Sequence, residues 1–434
     1  MATNSTTYLT RTQSSGTSDK IGTFSAWIKY SEVGETNSIF SGHTDSSNRI
    51  ALYIGGSGAL TIYGNIANSQ SVYLITNNLL RDVSAWYHIV VAWDTTQGTD
   101  SNRFKIYVNG LQITSFSTAA YPSVNADVYW NKGTTSIVGA RFISSVVNYF
   151  SGSMANVEFV DGQQLTPAYF GSTDTATGIW KPGGSSAISS YGTNGFKLKM
   201  DTTSPGADTS GNTNTFTPSG SPTLTQGSPS NVYANLNSIA LTTRQTLSNG
   251  NLTGTASSWA SAISTIGVTT GKWYAEVKYV DATGNIMVGV MDEKDMSSLT
   301  GSTSGLGFTT NSVGYYSGDG SKYIADITSS YGASYTTNNI LGIALDMTSA
   351  TKTVTFYKNN ATQGAINLPT TGTGTFFIGT SATNNGKSSI NFGEGFFGTT
   401  AAGTNADGNG QGLFAYAPPT GYYALNTKNL EAYG

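Results

Sequence analysis

Arg103-Phe-Lys-Ile-Tyr-Val-Asn-Gly110-Leu-Gln-Ile-Thr114 reads as two short strands joined by a two-residue turn. A tight type I′ turn needs positive φ at both central residues, and Asn109-Gly110 between two β-prone runs is the dipeptide that supplies it. Upstream, Phe24-Ser-Ala-Trp-Ile-Lys-Tyr30 and Trp86-Tyr-His-Ile-Val-Val-Ala-Trp-Asp94 place apolar side chains at roughly every second position, so that one face of each strand can be buried. The same device returns in Gly271-Lys-Trp-Tyr-Ala-Glu-Val277, Ile286-Met-Val-Gly-Val290, Ile340-Leu-Gly-Ile-Ala-Leu-Asp346 and Thr353-Val-Thr-Phe-Tyr-Lys358, with Asn359-Asn360 as a turn. No helical stretch of comparable length competes. The pattern predicts an all-β chain of two antiparallel, jelly-roll-type β-sandwiches in tandem, joined by an extended connector.

At 434 residues the chain exceeds the usual limit of a single core, which independently favours two domains. Only 10% of residues are charged, while Gly alone numbers 52, so solubility rests on uncharged hydroxyl and amide groups. Such a composition fits rigid extracellular or virion β proteins, and it also fits any all-β chain with many turns. A net charge of −3 without a block of Lys or Arg argues against nucleic acid, because phosphate neutralisation requires clustered cations. The absence of cysteine removes disulfides, thiolate nucleophiles and thiolate zinc sites. Met1-Ala-Thr-Asn-Ser-Thr-Thr has neither a basic start nor an apolar core, and no apolar run is long enough to span a bilayer. The expectation is therefore a protein with no secretory signal and no membrane insertion, which reaches the outside by assembly into a released particle.

Residues 1–171 form the first expected unit, closing with Phe150-Ser-Gly-Ser-Met-Ala-Asn-Val-Glu-Phe-Val160 and a brief helical turn at Thr166-Pro-Ala-Tyr-Phe-Gly171. Residues 172–232 are dense in Gly, Ser, Thr, Asn and Pro. Trp180 and Phe196-Lys-Leu-Lys-Met200 are too apolar for a free linker, so this connector is expected to pack along both sandwiches. The second unit spans 233–398. The tail, 399–434, joins a flexible portion from Thr399 to Gly412 to Leu413-Phe-Ala-Tyr-Ala-Pro-Pro-Thr-Gly-Tyr-Tyr423, whose aromatics should dock on the protein or on a partner subunit.

Phe24-Ser-Ala-Trp-Ile, Trp86-Tyr-His-Ile-Val, Ile106-Tyr-Val-Asn-Gly and Phe150-Ser-Gly-Ser-Met-Ala-Asn-Val give the first unit its resemblance to a laminin-G or pentraxin-like (concanavalin A-like) lectin sandwich. Where that family's last motif often carries acidic residues, this chain has Ala155 and Asn156, so no family calcium ligand is carried over. Gly271-Lys-Trp-Tyr-Ala-Glu-Val, Val288-Gly-Val, Gly314-Tyr-Tyr-Ser-Gly-Asp-Gly-Ser-Lys-Tyr323, Leu341-Gly-Ile-Ala-Leu-Asp-Met, Val354-Thr-Phe-Tyr-Lys-Asn-Asn and Ile390-Asn-Phe-Gly393, in that order, make the second unit resemble a SPRY domain, which implies protein binding through variable loops. Val160-Asp-Gly-Gln-Gln-Leu-Thr-Pro-Ala-Tyr-Phe-Gly171, Gly178-Ile-Trp-Lys-Pro182 and Ala417-Pro-Pro-Thr-Gly-Tyr-Tyr-Ala-Leu-Asn-Thr-Lys-Asn-Leu430 are similar to segments of tailed-phage structural proteins, notably of marine phages.

Candidate chemistry is sparse. The two histidines are His43 and His88, and His88 lies within a strand pattern beside Trp86, as a core or cross-strand residue would. The sequence has no Gly-x-Ser-x-Gly elbow, phosphate loop or paired-histidine zinc motif. A glycosidase needs two carboxylates flanking a cleft, so Glu158 with Asp161, and Asp292-Glu-Lys-Asp295, come into question. Side chains three apart on a strand point to opposite faces, and the second cluster reads as a solvated loop. Asn405-Ala-Asp-Gly-Asn-Gly410 imitates the start of a calcium loop, yet its twelfth position would be Tyr416 instead of a bidentate Glu, so it reads as a Gly-Asn turn. No catalytic residue, no metal ligand and no cofactor is expected.

Sugar recognition places aromatic faces on exposed loops, where a ring packs against a pyranose and nearby amides bond its hydroxyls. Trp130 and Tyr129, in Asp127-Val-Tyr-Trp-Asn-Lys-Gly133, are candidates on the first unit; Tyr315, Tyr316, Tyr331 and Tyr335 are candidates on the second. Trp27, Trp86, Trp93 and Trp273 sit in strand patterns and are assigned to the core. The function expected is a non-enzymatic structural protein of a tailed-phage virion, made in the host cytoplasm. It would be a fibre or a capsid- or tail-attached appendage, homo-oligomeric, held by other virion proteins and adhering to a host-surface glycan or protein. The alternatives are a carbohydrate-binding adhesin outside any particle and, further off, a glycan depolymerase.

Overall fold

The computed structural model of the protein describes residues 6–183, 187–201, 204–238, 244–300 and 305–434; the opening residues 1–5 of the expected signal-free terminus lie outside it. The regular structure of the described residues is nearly all β, with strands paired antiparallel except at one short parallel pair, and it forms two β-sandwiches in tandem. The division between two compact units falls between Leu224 and Thr225.

In the first unit an eight-stranded sheet runs, in spatial order, Phe116–Ala120, Ser69–Leu79, Ala59–Ile66, Arg49–Ile54, Asn37–His43, Thr135–Val138, Tyr8–Thr12 and Thr217–Ser219. It faces a six-stranded sheet ordered Phe196–Leu198, Gly152–Asp161, Ile21–Tyr30, Tyr87–Asp94, Phe104–Val108 and Leu111–Ile113. The Asn109-Gly110 turn is present as read, with φ of 49° and 81° and Val108 opposite Leu111. Phe24, Ala26, Ile28 and Tyr30 point inward and join one core with Phe40, Trp93, Trp130, Phe159 and Phe196. Phe24 stacks on Phe40 with ring centroids 4.4 Å apart.

Simple alternation fails on Ile21–Tyr30, where nine of ten residues are buried. The reason is a second layer: Phe170 and Tyr191 pack with Val90 and Val160 on the outer face of the six-stranded sheet. The expected connector is thus largely part of this unit. Phe196–Leu198 pairs with Gly152–Asp161, and Thr217–Ser219 pairs with Tyr8–Thr12, each completing a sheet edge. Trp180, the residue too apolar for a linker, is wedged between Gly110 and Gly171, where a β-carbon at either glycine would approach its ring to 2.7 Å.

The second unit places Gln245–Ser248, Thr253–Ala256, Gly386–Asn391, Lys272–Asp281, Ile340–Asp346, Thr353–Lys358 and Ala361–Asn367 in one sheet. The opposing sheet is Ala260–Ile263, Phe376–Ala382, Ile286–Asp292, Ser312–Tyr316, Lys322–Ile324 and Ile327–Ser329. Val288, Val290, Val313, Tyr315, Ile343, Phe356 and Ile378 lie in the core between them.

The tail is built in. Gly386–Asn391 begins its ladder with Lys272–Asp281 only at Glu276, which leaves the backbone of Trp273 and Tyr274 needing partners on that side. Tyr423–Ala424 supplies them in parallel register. Instead of a flexible run from Thr399 to Gly412, the chain is fixed through Asp407. Its carboxylate accepts from the backbone N–H groups of Asn409 (2.8 Å), Gln411 (2.9 Å) and Ala424 (2.9 Å), and from Asn429 Nδ2 (2.8 Å). The helix Thr427–Tyr433, capped by Asn426, ends the chain.

Candidate functional site

The polar groups that could do chemistry are held inside the fold. His88 is fully buried; its Nδ1 accepts from the indole N–H of Trp180 at 2.9 Å and its Nε2 lies 2.9 Å from Ser25 Oγ. An indole can only donate, so the proton of the neutral ring sits on Nε2 and points at Ser25. Burial pushes the His88 pKa down to about 3. With this tautomer His88 cannot withdraw the Ser25 proton, and the pair serves to pin the covering segment to the sheet. Trp27 stacks on the same imidazole at 4.8 Å.

Glu158 and Asp161 point to opposite faces of their strand. Glu158 accepts from the Tyr191 hydroxyl at 2.5 Å, and burial raises its pKa. Asp161 accepts from the N–H groups of Thr17 (2.7 Å), Ser18 (3.0 Å) and Asn194 (3.0 Å), joining three segments at one end of the sandwich. In the second unit Asp292 departs from the expected solvated loop: it is buried and holds the N–H groups of Lys294, Thr373 and Gly374 at 2.8–2.9 Å. Glu276 is also buried, and it accepts from the N–H groups of Ala415 and Tyr416, each at 2.8 Å, and from Tyr274 Oη at 3.2 Å. Burial pushes its pKa up to about 7 against those donors.

Three of the six aromatic candidates are corrected by burial. Trp130 is 0% exposed and packs against Phe40, Trp93 and Phe104, so its face is closed to a ligand. The loop reading failed because the flanking Asn131 and Gly133 suggested a turn, while the indole itself points back between the sheets. Tyr315 and Tyr335 are core residues whose hydroxyls donate to the carbonyls of Ala333 and Tyr315. Tyr331 is half-buried, with its hydroxyl donating to Gly364 O, and burial pushes its pKa up to about 12. Tyr129 is half-buried, donates to Asn48 Oδ1 at 3.1 Å and lies under Lys132. The strand tryptophans Trp27, Trp86, Trp93 and Trp273 are buried, as read.

Tyr316 belongs to an aromatic ledge that sequence reading reached at this single residue. Trp259, Phe308, Tyr323 and Tyr316, all half-buried, form a closed circuit of ring contacts at 5.5, 5.6, 6.0 and 5.9 Å. Strand parity explains it. Tyr315 faces the core, so Tyr316 faces outward, and Tyr323, opposite Gly314, lies on the same face. Trp259 shares that face with Ser261, two residues on. Phe308 arrives from a covering segment pinned by Leu306 N–H to Ser381 Oγ and by Gly307 N–H to Ser312 Oγ, both 2.8 Å. A smaller surface, also missed, lies on the outer face of the first unit's eight-stranded sheet. There Tyr63 and Tyr73 pair edge to face at 5.2 Å near Tyr53, over which the Arg141 guanidinium sits at 4.4 Å.

Comparison with known proteins follows the same division. Residues 3–168 match the concanavalin A-like lectin/glucanases superfamily, and residues 272–395 match the SPRY domain. A search of curated proteins finds no match. Among solved structures, a human SPRY domain is similar at 19% identity, covering 34% of this chain and 94% of that one, with a TM-score of 0.28. A heptameric SAP-like pentraxin from Limulus polyphemus is 19% identical, covering 38% of this chain and 74% of its own, with a TM-score of 0.29. The CBM40 of a Ruminococcus gnavus IT-sialidase, solved with α2,3 sialyllactose, is 16% identical, covering 31% and 74%, with a TM-score of 0.25. Sequence pattern, sheet order and family matches agree that the chain carries a concanavalin A-like domain at its N-terminal end and a SPRY domain at its C-terminal end.

Proposed function

We propose that this chain is a non-enzymatic structural protein of a tailed-phage virion, a fibre or a capsid- or tail-attached appendage, whose two sandwiches are recognition modules for a host-surface glycan or protein. The observation that carries the recognition role is the presence, on each module, of a half-exposed aromatic surface, while Glu158, Asp161, Glu276, Asp292 and His88 are occupied in holding segments together. Aromatic faces beside a few polar groups suffice to bind a ligand without chemistry of their own. The phage-like segments support the particle assignment: residues 160–171 contribute Phe170 to the layer that covers the N-terminal sandwich, and residues 417–430 contribute the strand and the start of the helix that complete the C-terminal one. A homo-oligomer held by neighbouring virion proteins fits a fibre or appendage. Mass spectrometry of purified particles tests the reading. The chain is expected in fixed stoichiometry to the major capsid protein, with antibody against it slowing adsorption to host cells; its absence from washed particles contradicts the reading.

A further inference from the structure

We propose that the ledge of Trp259, Phe308, Tyr316 and Tyr323 on the C-terminal SPRY module is a glycan site that takes a neutral hexopyranose by stacking. The inference deepens the recognition reading above and rests on it, and it moves the sugar-binding surface away from the lectin-like module. Three features of the ledge fit a sugar. Its rings are half-buried yet face outward, and the Tyr316 and Tyr323 hydroxyls and the Trp259 indole N–H have no hydrogen-bond partner among the described residues. A pyranose offers the matching combination of one C–H face and a rim of hydroxyls. The exposed Asp319 carboxylate, which accepts one bond from Ser321 N–H at 2.9 Å, stands close enough to Tyr316 to reinforce the rise that burial and Tyr323 cause in its pKa. That carboxylate can accept two vicinal hydroxyls at the rim.

The ledge is also rigid before any ligand arrives. Gly318 leaves its backbone against the Tyr316 ring, where a β-carbon would come within 2.7 Å, and Gly305 does the same at Phe308, at 2.6 Å. The two serine bonds to Leu306 and Gly307 fix the covering segment. A preorganised apolar platform loses little conformational freedom on binding. On the lectin-like module the indoles are buried in the core or, at Trp180, engaged with His88, and Tyr53 is engaged by Arg141, which leaves a narrower tyrosine pair.

The test uses the purified full chain and a panel of neutral, acidic and amino oligosaccharides with a proline-rich peptide, read by biolayer interferometry and saturation-transfer NMR. Binding to neutral hexose oligosaccharides is expected, weakened about tenfold or more by Trp259→Ala and severalfold by Tyr316→Phe, which keeps the ring. Tyr63→Ala with Tyr73→Ala should leave it unchanged. Should Trp259→Ala not fold, Tyr316→Phe and Asp319→Asn carry the test. Binding that only the Tyr63 and Tyr73 changes abolish, preference for the peptide or for cationic or acidic sugars, or no binding to the panel overturns the proposal while leaving the particle reading intact. Absence of the chain from particles overturns the reading without touching the ledge.

Discussion

Acidification should weaken the N-terminal sandwich through His88. In the folded state the imidazole is buried, its Nδ1 accepts from Trp180, and its pKa is pushed down to about 3. In the unfolded chain it titrates at about 6.5. The pKa is depressed in the folded state, so between these values the unfolded chain binds the extra proton and stability falls as pH falls. Going from pH 7 to pH 5 this costs about 2 kcal/mol, and about 5 kcal/mol across the whole window. For a unit of this size 2 kcal/mol lowers the melting temperature by about 4–8 °C. Calorimetry of the full chain at pH 7, 6 and 5 reads it, with the transition of the N-terminal unit identified by a destabilising core change such as Trp130→Ala. His88→Gln keeps an acceptor for the Trp180 indole and a donor for Ser25, so it should hold the Trp180 segment in place, at a cost of about 1–2 kcal/mol at pH 7, while abolishing this part of the acid dependence. If His88→Gln loses stability toward acid as steeply as the parent, the assignment of the proton and the burial argument are both wrong.

Other changes have equally direct readouts. Glu276→Gln puts an amide NH2 against one of two backbone N–H donors, because Ala415 and Tyr416 donate to different oxygens. It should cost about 2–3 kcal/mol at pH 5 in urea unfolding and expose the tail to limited proteolysis. Glu276 itself has its pKa raised to about 7, so its contribution is fully present below about pH 4.5 and is lost as pH rises through 7. The Gln penalty should accordingly shrink by pH 8, and a penalty that grows with pH would show that the donors outweigh burial. Trp130→Ala should cost about 3–5 kcal/mol by denaturant titration, whereas a loss under 1 kcal/mol would indicate an exposed indole. Ala67 occupies φ 48° in an exposed two-residue turn, so Ala67→Gly should stabilise by about 0.5–1 kcal/mol, and a loss of stability would argue against that backbone conformation.

What was legible in the sequence was what local chemistry dictates. Asn109-Gly110 and Asn359-Asn360 are turns because Asn tolerates positive φ and Gly lacks the β-carbon that opposes it, and the structure has both. Ala67-Asn68 and Ala325-Asp326 make the same kind of turn and escaped notice, since alanine carries no turn signal; there the ladders on either side impose the conformation. Strand periodicity located Phe24, Trp93 and Trp273 in the cores. Period two cannot reveal a second layer, so the packing of Tyr191 with Phe170 over Val90 and Val160, and the reach of the first compact unit to Leu224, do not show in a segment that reads as an extended connector. Trp180 and Phe196 signalled that the segment packs, without saying on what.

The candidate site was less legible than the fold. Among neighbouring tyrosines the inward and outward faces of a strand are distinguished only by register, so Tyr315 and Tyr316 looked alike although one is core and the other surface. Trp259 and Phe308 are 49 residues apart in the chain, and nothing local links them to Tyr323; the sheet order and the serine-pinned cover bring them together. Trp130 shows the opposite error, because turn-forming neighbours do not determine where a long side chain points.

The most direct test of the recognition account is a cryo-electron reconstruction of the native particle at a resolution that traces this chain. Both sandwiches are expected at a tail or capsid appendage, with Trp259, Tyr316 and Tyr323 facing solvent on the outside. A reconstruction in which that ledge is sealed between capsid or tail subunits, or in which no density corresponds to the chain, would contradict it.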